Sequence, residues 1–266
     1  MDSGIDFLLK SKCSFQSNNQ KENRLNECRC EPIIPSPAEL FDLSKWEHAP
    51  IFDGVEYVWD AIKNLRAYLE SLTPRAFPLS KVYGNSVFLG EDNISDQGAM
   101  ILPFTTIDAV SGPVFLGRGA RIGPNAYIRG PALISAGCVV GHCSEVKNSI
   151  MMPGAHASHR CYVGDSILGN DVNLANDTSL NNWKFNEKKI ALWVRCKCAS
   201  EMLCQDIKVP TGMTKFGAIL GDKTKTGSHI STNPGTIIMP KTWVFQISYG
   251  PGVYTTGMIR MDRKHL

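Results

Sequence analysis

PVFLGRGARIGPNAYIRGPALISAGCVVGHCSEVKNSIMMPGAHASHRCYVGDSILGNDVNLANDT, residues 113–178, decides the fold. Leu116, Ile122, Ile128, Ile134, Val140, Val146 and Met152 stand six residues apart, and all are apolar. Two positions before them stand Val114, Ala120, Ala126, Ala132, Cys138, Ser144 and Ile150, most of them small. Gly117, Gly123 and Gly141 each follow one of the aliphatics. A fixed internal period outranks local propensity when a fold is assigned. It predicts a β-solenoid with coils of about eighteen residues, three flat sides each, and the aliphatics pointing into a narrow shared core.

On the N-terminal side, 79–112 holds looser coils, with Val82, Leu89, Ile94, Ile101 and Ile107 as their apolar positions. On the C-terminal side the six-residue period resumes at Leu220, Thr226, Thr232, Ile238 and Val244. The solenoid is therefore expected over 79–247, with an insertion near 183–211 that leaves it as an arm or loop. Insertions of this kind often build a binding face. Asp53–Leu72 carries Val55, Val58, Trp59, Ile62, Leu65, Leu69 and Leu72 at helical spacing, and Pro74 ends the run. A helical segment over 36–78 is expected to cover an open end of the solenoid, where strand edges would otherwise be unpaired. Residues 1–35 read as a mobile polar tail, and 248–266 as an irregular C-terminal segment.

At 43% apolar and 20% charged the chain is ordinary globular material. A net charge of +3 gives no argument for nucleic acid. No apolar run approaches the ~20 residues of a membrane span, and the first ten residues lack a basic leader. The nine cysteines include the C-x-C pairs Cys28/Cys30 and Cys196/Cys198, not the C-x-x-C pairs of zinc ribbons. Cys138, Cys143 and Cys161 fall in the repeat, where a thiol acts as a small hydrophobe. Reduced thiols and a cytoplasmic location follow as expectations.

IGPNAYIRGPALISAGCVVGHCSEVKNSI, AHASHRCYVGDSILGNDVNLANDTSLNNWKFNEKK and TGMTKFGAILGDKTKTGSHISTNPGTIIMPKTWV together resemble the hexapeptide-repeat acyltransferases. The likeness is to the C-terminal acetyltransferase domain of GlmU-type enzymes and to archaeal sugar-phosphate nucleotidyltransferase relatives. The resemblance implies an all-β, left-handed parallel β-helix, an exception to the right-handed crossover rule. It implies acetyl-CoA as co-substrate and an amino-sugar phosphate as acceptor, with glucosamine 1-phosphate first, in UDP-N-acetylglucosamine biosynthesis. It also implies a homotrimer with sites between subunits, and no metal for acetyl transfer. Residues 1–80 show no likeness to the uridylyltransferase half of those enzymes.

Moving an acetyl group from a thioester to an amine needs a base for the amine, hydrogen-bond donors for the oxyanion, and two substrates held together. By resemblance His159 is the general base, a task suited to imidazole. Arg129 and Lys147 match phosphate-binding positions. They stand one coil apart, so they are expected to stack on one side of the solenoid. Tyr162, Asn173 and Asn182 match sugar contacts, and Lys188 a lysine near the phosphate. Asn176, Ser228 and Gln246 match positions along the acetyl-CoA groove. There Ala175-Asn176-Asp177-Thr178 replaces the family's Gly-Ala-Gly-Thr. This substitution motivates a second reading, a catalytically degenerate β-helix that binds a nucleotide sugar or a protein partner. A third is a γ-type carbonic anhydrase, which needs three converging histidines. His142, His156 and His159 have the wrong spacing for it.

Overall fold

A computed structural model describes residues 31–72, 82, 84–197, 206–245, 252–254 and 258–259. Most of the expected tail and C-terminal segment, and Gln246, lie outside these residues. The chain winds as a left-handed parallel β-helix of about eight turns. One side is an 8-stranded sheet; the other two merge into a 16-stranded sheet where the longer strands Tyr127–Ile134 and Glu145–Met151 run through a corner. Inside lies the expected column of small and aliphatic side chains, including Leu116, Ile122, Ile128, Ile134, Val140 and Val146, all fully buried.

The column then departs from the expected six-residue register. Arg129 pairs with Lys147, but Ala132 pairs with Ser149, so the coil loses one residue at Asn148. Met151, and not Met152, consequently points inward. The next inward residue in that column, Leu168, pairs with Met151. The slip thus sits at the corner before Met151, between Lys147 and Ser149.

The N-terminal helices do not close an end. Pro37–Leu40 (α1) and Asp60–Ser71 (α2) lie along a flank. The α2 helix begins later than its hydrophobic spacing suggested, with the Asp60 carboxylate accepting the Tyr57 backbone N–H at 2.9 Å. Its Leu65 and Leu69, with Trp46 and Trp59, pack on an outward-facing ladder: Phe115, Leu133, Ile150, Ile167, Ile219 and Ile237. Strands buried on both faces read as continuous apolar runs, as Val114–Leu116 does. The insertion extends the same cover as an antiparallel hairpin, Ala191–Lys197 against Asp206–Pro210.

His48 sits inside this seam, 4% exposed, with Nδ1 3.0 Å from the Tyr68 hydroxyl and its ring edge-on to Phe115. Burial lowers its pKa from the ordinary 6.5, and nearby Glu47 counters only partly. Between 6.5 and the depressed folded value, the unfolded chain holds a proton that the folded chain does not. Stability is therefore full above 6.5 and falls as pH falls through that window. Urea midpoints measured from ~pH 7 to ~pH 5 should fall less steeply for His48→Leu than for the native chain. Parallel slopes would remove His48 as the cause.

Candidate active site

Two corners of the solenoid gather most of the expected residues. At the first, the residues before the turn are Lys147, Gly164 and, beyond the insertion, Phe216. Asp165 N–H donates to Lys147 O at 2.9 Å, and Gly217 N–H to Asp165 O at 2.9 Å. Arg129 and Lys147 are register neighbours, as their spacing predicts. Tyr162 opens the strand Tyr162–Gly164, paired with Glu145. Asn182 follows Ser179–Leu180, where the insertion departs. Arg129, Lys147, Tyr162 and Asn182 line one cleft of about 260 Å³, together with Trp183 and Lys215.

The cleft is cationic but partly countered. Lys147 Nζ lies 3.0 Å from Asp165 Oδ2, and both side chains are largely buried. Asn148 Nδ2 donates to the other carboxylate oxygen at 2.7 Å, and Asn182 Nδ2 donates to Oδ2. Arg129 reaches Glu145 at 4.0 Å with both ends half-exposed. Lys215 lies 5.1 Å from the Trp183 ring. The Tyr162 phenol stays protonated to higher pH than usual, chiefly through burial and then through the Glu145 and Asp165 carboxylates. Gly164 is required beneath it: an added Cβ would meet the Tyr162 hydroxyl and come within 2.9 Å of Asn182 Nδ2.

The second corner holds a column of stacked turns. Its second residue takes a left-handed conformation at Cys143, Arg160, Asp177 and His229, with φ between 53° and 58° except Arg160 at 49°. The residues just before them are His142, His159, Asn176 and Ser228. Each carbonyl of the first three accepts the N–H of the next turn at 2.8–3.0 Å. His159, Asn176 and Ser228 are thus brought into one column. The His159 imidazole is exposed and makes no hydrogen bond among the described residues. Asp177 is heavily engaged: its Oδ2 lies 2.6 Å from Arg160 Nη2, 3.4 Å from His229 Nδ1 and 2.7 Å from Asn176 Nδ2.

The remaining expected residues are not gathered here. His159 does not line the cation cleft; it ends the strand His156–His159, and the chain turns through Arg160 and Cys161 before reaching Tyr162. Asn173 sits on the 8-stranded sheet beside His156 and Lys225. Lys188 is exposed in the insertion, outside the cleft. Cys143 is exposed at a turn rather than in the core, unlike Cys138 and Cys161. Burial pushes the Cys138 thiol up to about 12. Asp165, Trp183 and Lys215 were not foreseen. Asp165 follows Lys147 by one coil and was legible by the same arithmetic. Trp183 and Lys215 face each other across the neck of the insertion, where no period applies.

Residues 110–250, just over half of the chain, match the family described as the GMPPB C-terminal domain. The chain belongs to that family. It shares 33% identity over 181 residues with the bifunctional protein GlmU of Methanococcus vannielii, covering 66% of this chain and 39% of that protein. The bifunctional sugar-1-phosphate nucleotidylyltransferase/acetyltransferase of Sulfurisphaera tokodaii is 33% identical over 44% of this chain and 26% of its own length. The uncharacterized acetyltransferase YaiX of Escherichia coli O6:K15:H31 is 27% identical over 56% of this chain and 69% of its own. The chain thus spans about two-fifths or less of the two bifunctional relatives. It is a hexapeptide-repeat β-helix whose likeness is to the GlmU-type relatives.

Proposed function

We propose that this chain is an acetyl-CoA-dependent N-acetyltransferase for an amino-sugar phosphate, with glucosamine 1-phosphate the first candidate acceptor. The observation that carries the reading is the cleft that brings Arg129, Lys147, Tyr162 and Asn182 together. Arg129 and Lys147 bind the phosphate, and the Tyr162 hydroxyl and Asn182 amide bind the sugar. His159 takes the proton from the acceptor ammonium. The freed amine attacks the thioester carbonyl, the C–S bond breaks, and CoA leaves as thiolate to be protonated. Asn176 and Ser228 flank the co-substrate in the His159 column. Because His159 and the cleft occupy different sides of a corner, a second copy of the chain completes the site, in a homotrimer in the cytoplasm. A monomer by light scattering would remove that site.

The direct test mixes the full chain with acetyl-CoA and a panel of amino-sugar phosphates and follows free thiol. Thiol release dependent on one acceptor supports the reading; none with any acceptor overturns it.

The second reading, a non-catalytic member binding a nucleotide sugar or a protein partner, is favoured by Asp177. Its clasp by Arg160, Asn176 and His229 fills the column with ionic contacts where the co-substrate would run. Calorimetry with acetyl-CoA separates the two: heat of binding supports the enzyme, and its absence supports this alternative.

A further inference from the structure

We infer that the cation cleft continues beneath α2 into a second anion-binding subsite, so that the site accepts a sugar linked through a diphosphate, as in a nucleoside diphosphate sugar. The inference takes the sugar-phosphate subsite from the reading above and adds residues that reading does not use.

A larger cleft of about 650 Å³ adjoins the first and shares Arg129, Lys147 and Lys215 with it. Its far wall is α2, which supplies Lys63 and Arg66. Five cations therefore line it against one carboxylate, Asp165, which is already taken by Lys147 and two amides. Lys63 and Arg66 have acidic partners, Asp60 at 2.6 Å and Glu70 at 3.5 Å, but these stand on α2 outside the lining. Lys63 reaches toward the opposite wall: a Cβ on Gly212 would stand 3.8 Å from Nζ. Arg66 crosses the gap to donate to the Ser111 carbonyl. An excess of positive charge in a concave setting is a site for a polyanion. Ordinary small-molecule sites run from ~300 to ~1,000 Å³. The smaller cleft, about 260 Å³, falls just below that range and suits one sugar. The larger, continuous with it through three shared cations, suits a further phosphate and what it carries.

The geometry fixes the order of groups. The sugar lies by Tyr162, Asn182 and Trp183; its own phosphate lies at the shared Arg129, Lys147 and Lys215; the second phosphate lies under α2 at Lys63 and Arg66. The device depends on the helical segment lying along the flank, since a segment closing an end would leave this wall open.

Calorimetry on the full chain tests it with two matched pairs: UDP-N-acetylglucosamine against N-acetylglucosamine 1-phosphate, and GDP-mannose against mannose 1-phosphate. In at least one pair the diphosphate sugar should bind about tenfold tighter or more, the effect of one charge-assisted contact. The double substitution Lys63→Gln, Arg66→Gln should erase that gain and leave the sugar 1-phosphate affinity within about twofold of native. Both side chains are substantially exposed, 41% and 53%, so the fold is not at stake. Equal affinities within both pairs, or a gain that survives the double substitution, overturns the inference. Acetyl transfer to glucosamine 1-phosphate alongside equal affinities would sink this inference alone. A Lys63- and Arg66-dependent gain without any acetyl transfer would sink only the catalytic reading.

Discussion

A His159→Ala chain is expected to lose acetyl transfer by ~10²–10⁴-fold, the contribution of a positioned general base, while remaining folded. The two halves of this expectation rest on different observations. The loss follows from the reaction: an acceptor amine held as ammonium has no lone pair. The intact fold follows from position. His159 ends its strand at an exposed turn, its ring makes no hydrogen bond among the described residues, and the corner is held by the backbone bond from Asp177 N–H to its carbonyl at 3.0 Å. Truncating such a side chain usually changes stability by less than ~0.5 kcal/mol. The adjoining His142, its register neighbour, is the control. His142→Ala should keep near-native kcat, because that ring packs on the Cys143 sulfur, 3.2 Å from Nε2. Loss of activity in the His142 variant with retention in the His159 variant would exchange the two roles. Retention in both would leave the acceptor to lose its proton to solvent and would remove the imidazole from the mechanism.

How much of this was legible in the sequence depends on what kind of force places each residue. The interior column was readable because a narrow core admits only small and aliphatic side chains, so Ile122, Ile128 and Ile134 recur at a strict spacing. The stacking of Arg129 on Lys147 follows from the same spacing. The period failed at Met152, since one residue lost at a corner inverts which of two adjacent methionines faces inward, and both are apolar. The flank was misjudged although its signal was present. Phe115, Leu133, Ile150 and Ile167 occupy outward positions, and apolar side chains there mean that something covers them. A helix with one apolar face fits an end or a flank equally well; only that outward ladder distinguishes them. Trp183, Lys215, Lys63 and Arg66 were beyond reach. They converge through the return of an insertion and the docking of a helix, long-range events that leave no local pattern.

Asp165 is the residue whose loss should be felt most in the stability of the site. Asp165→Ala is expected to cost about 3–5 kcal/mol, because it strands a buried ammonium. The carboxylate is 4% exposed and the Lys147 side chain 12%, so water cannot take over the charge cheaply. The same substitution also releases the Asn148 amide at 2.7 Å and the Asn182 amide, the latter a member of the cleft. The large cost is mostly the price of the unpaired charge, not the net worth of the pair, and that distinction can be measured. Replacing both partners, Lys147→Met with Asp165→Leu, removes the charge and its counter-charge together. The double variant should be more stable than Asp165→Ala by denaturant unfolding, a non-additivity of about 1–3 kcal/mol. Added sugar phosphate should raise the midpoint of Asp165→Ala more than that of the native chain, since the ligand's anion supplies the missing partner to Lys147. If the double variant is instead the less stable, Asp165 holds the corner through its amide contacts and its left-handed backbone at φ 49°, and Lys147 is not the reason it is there.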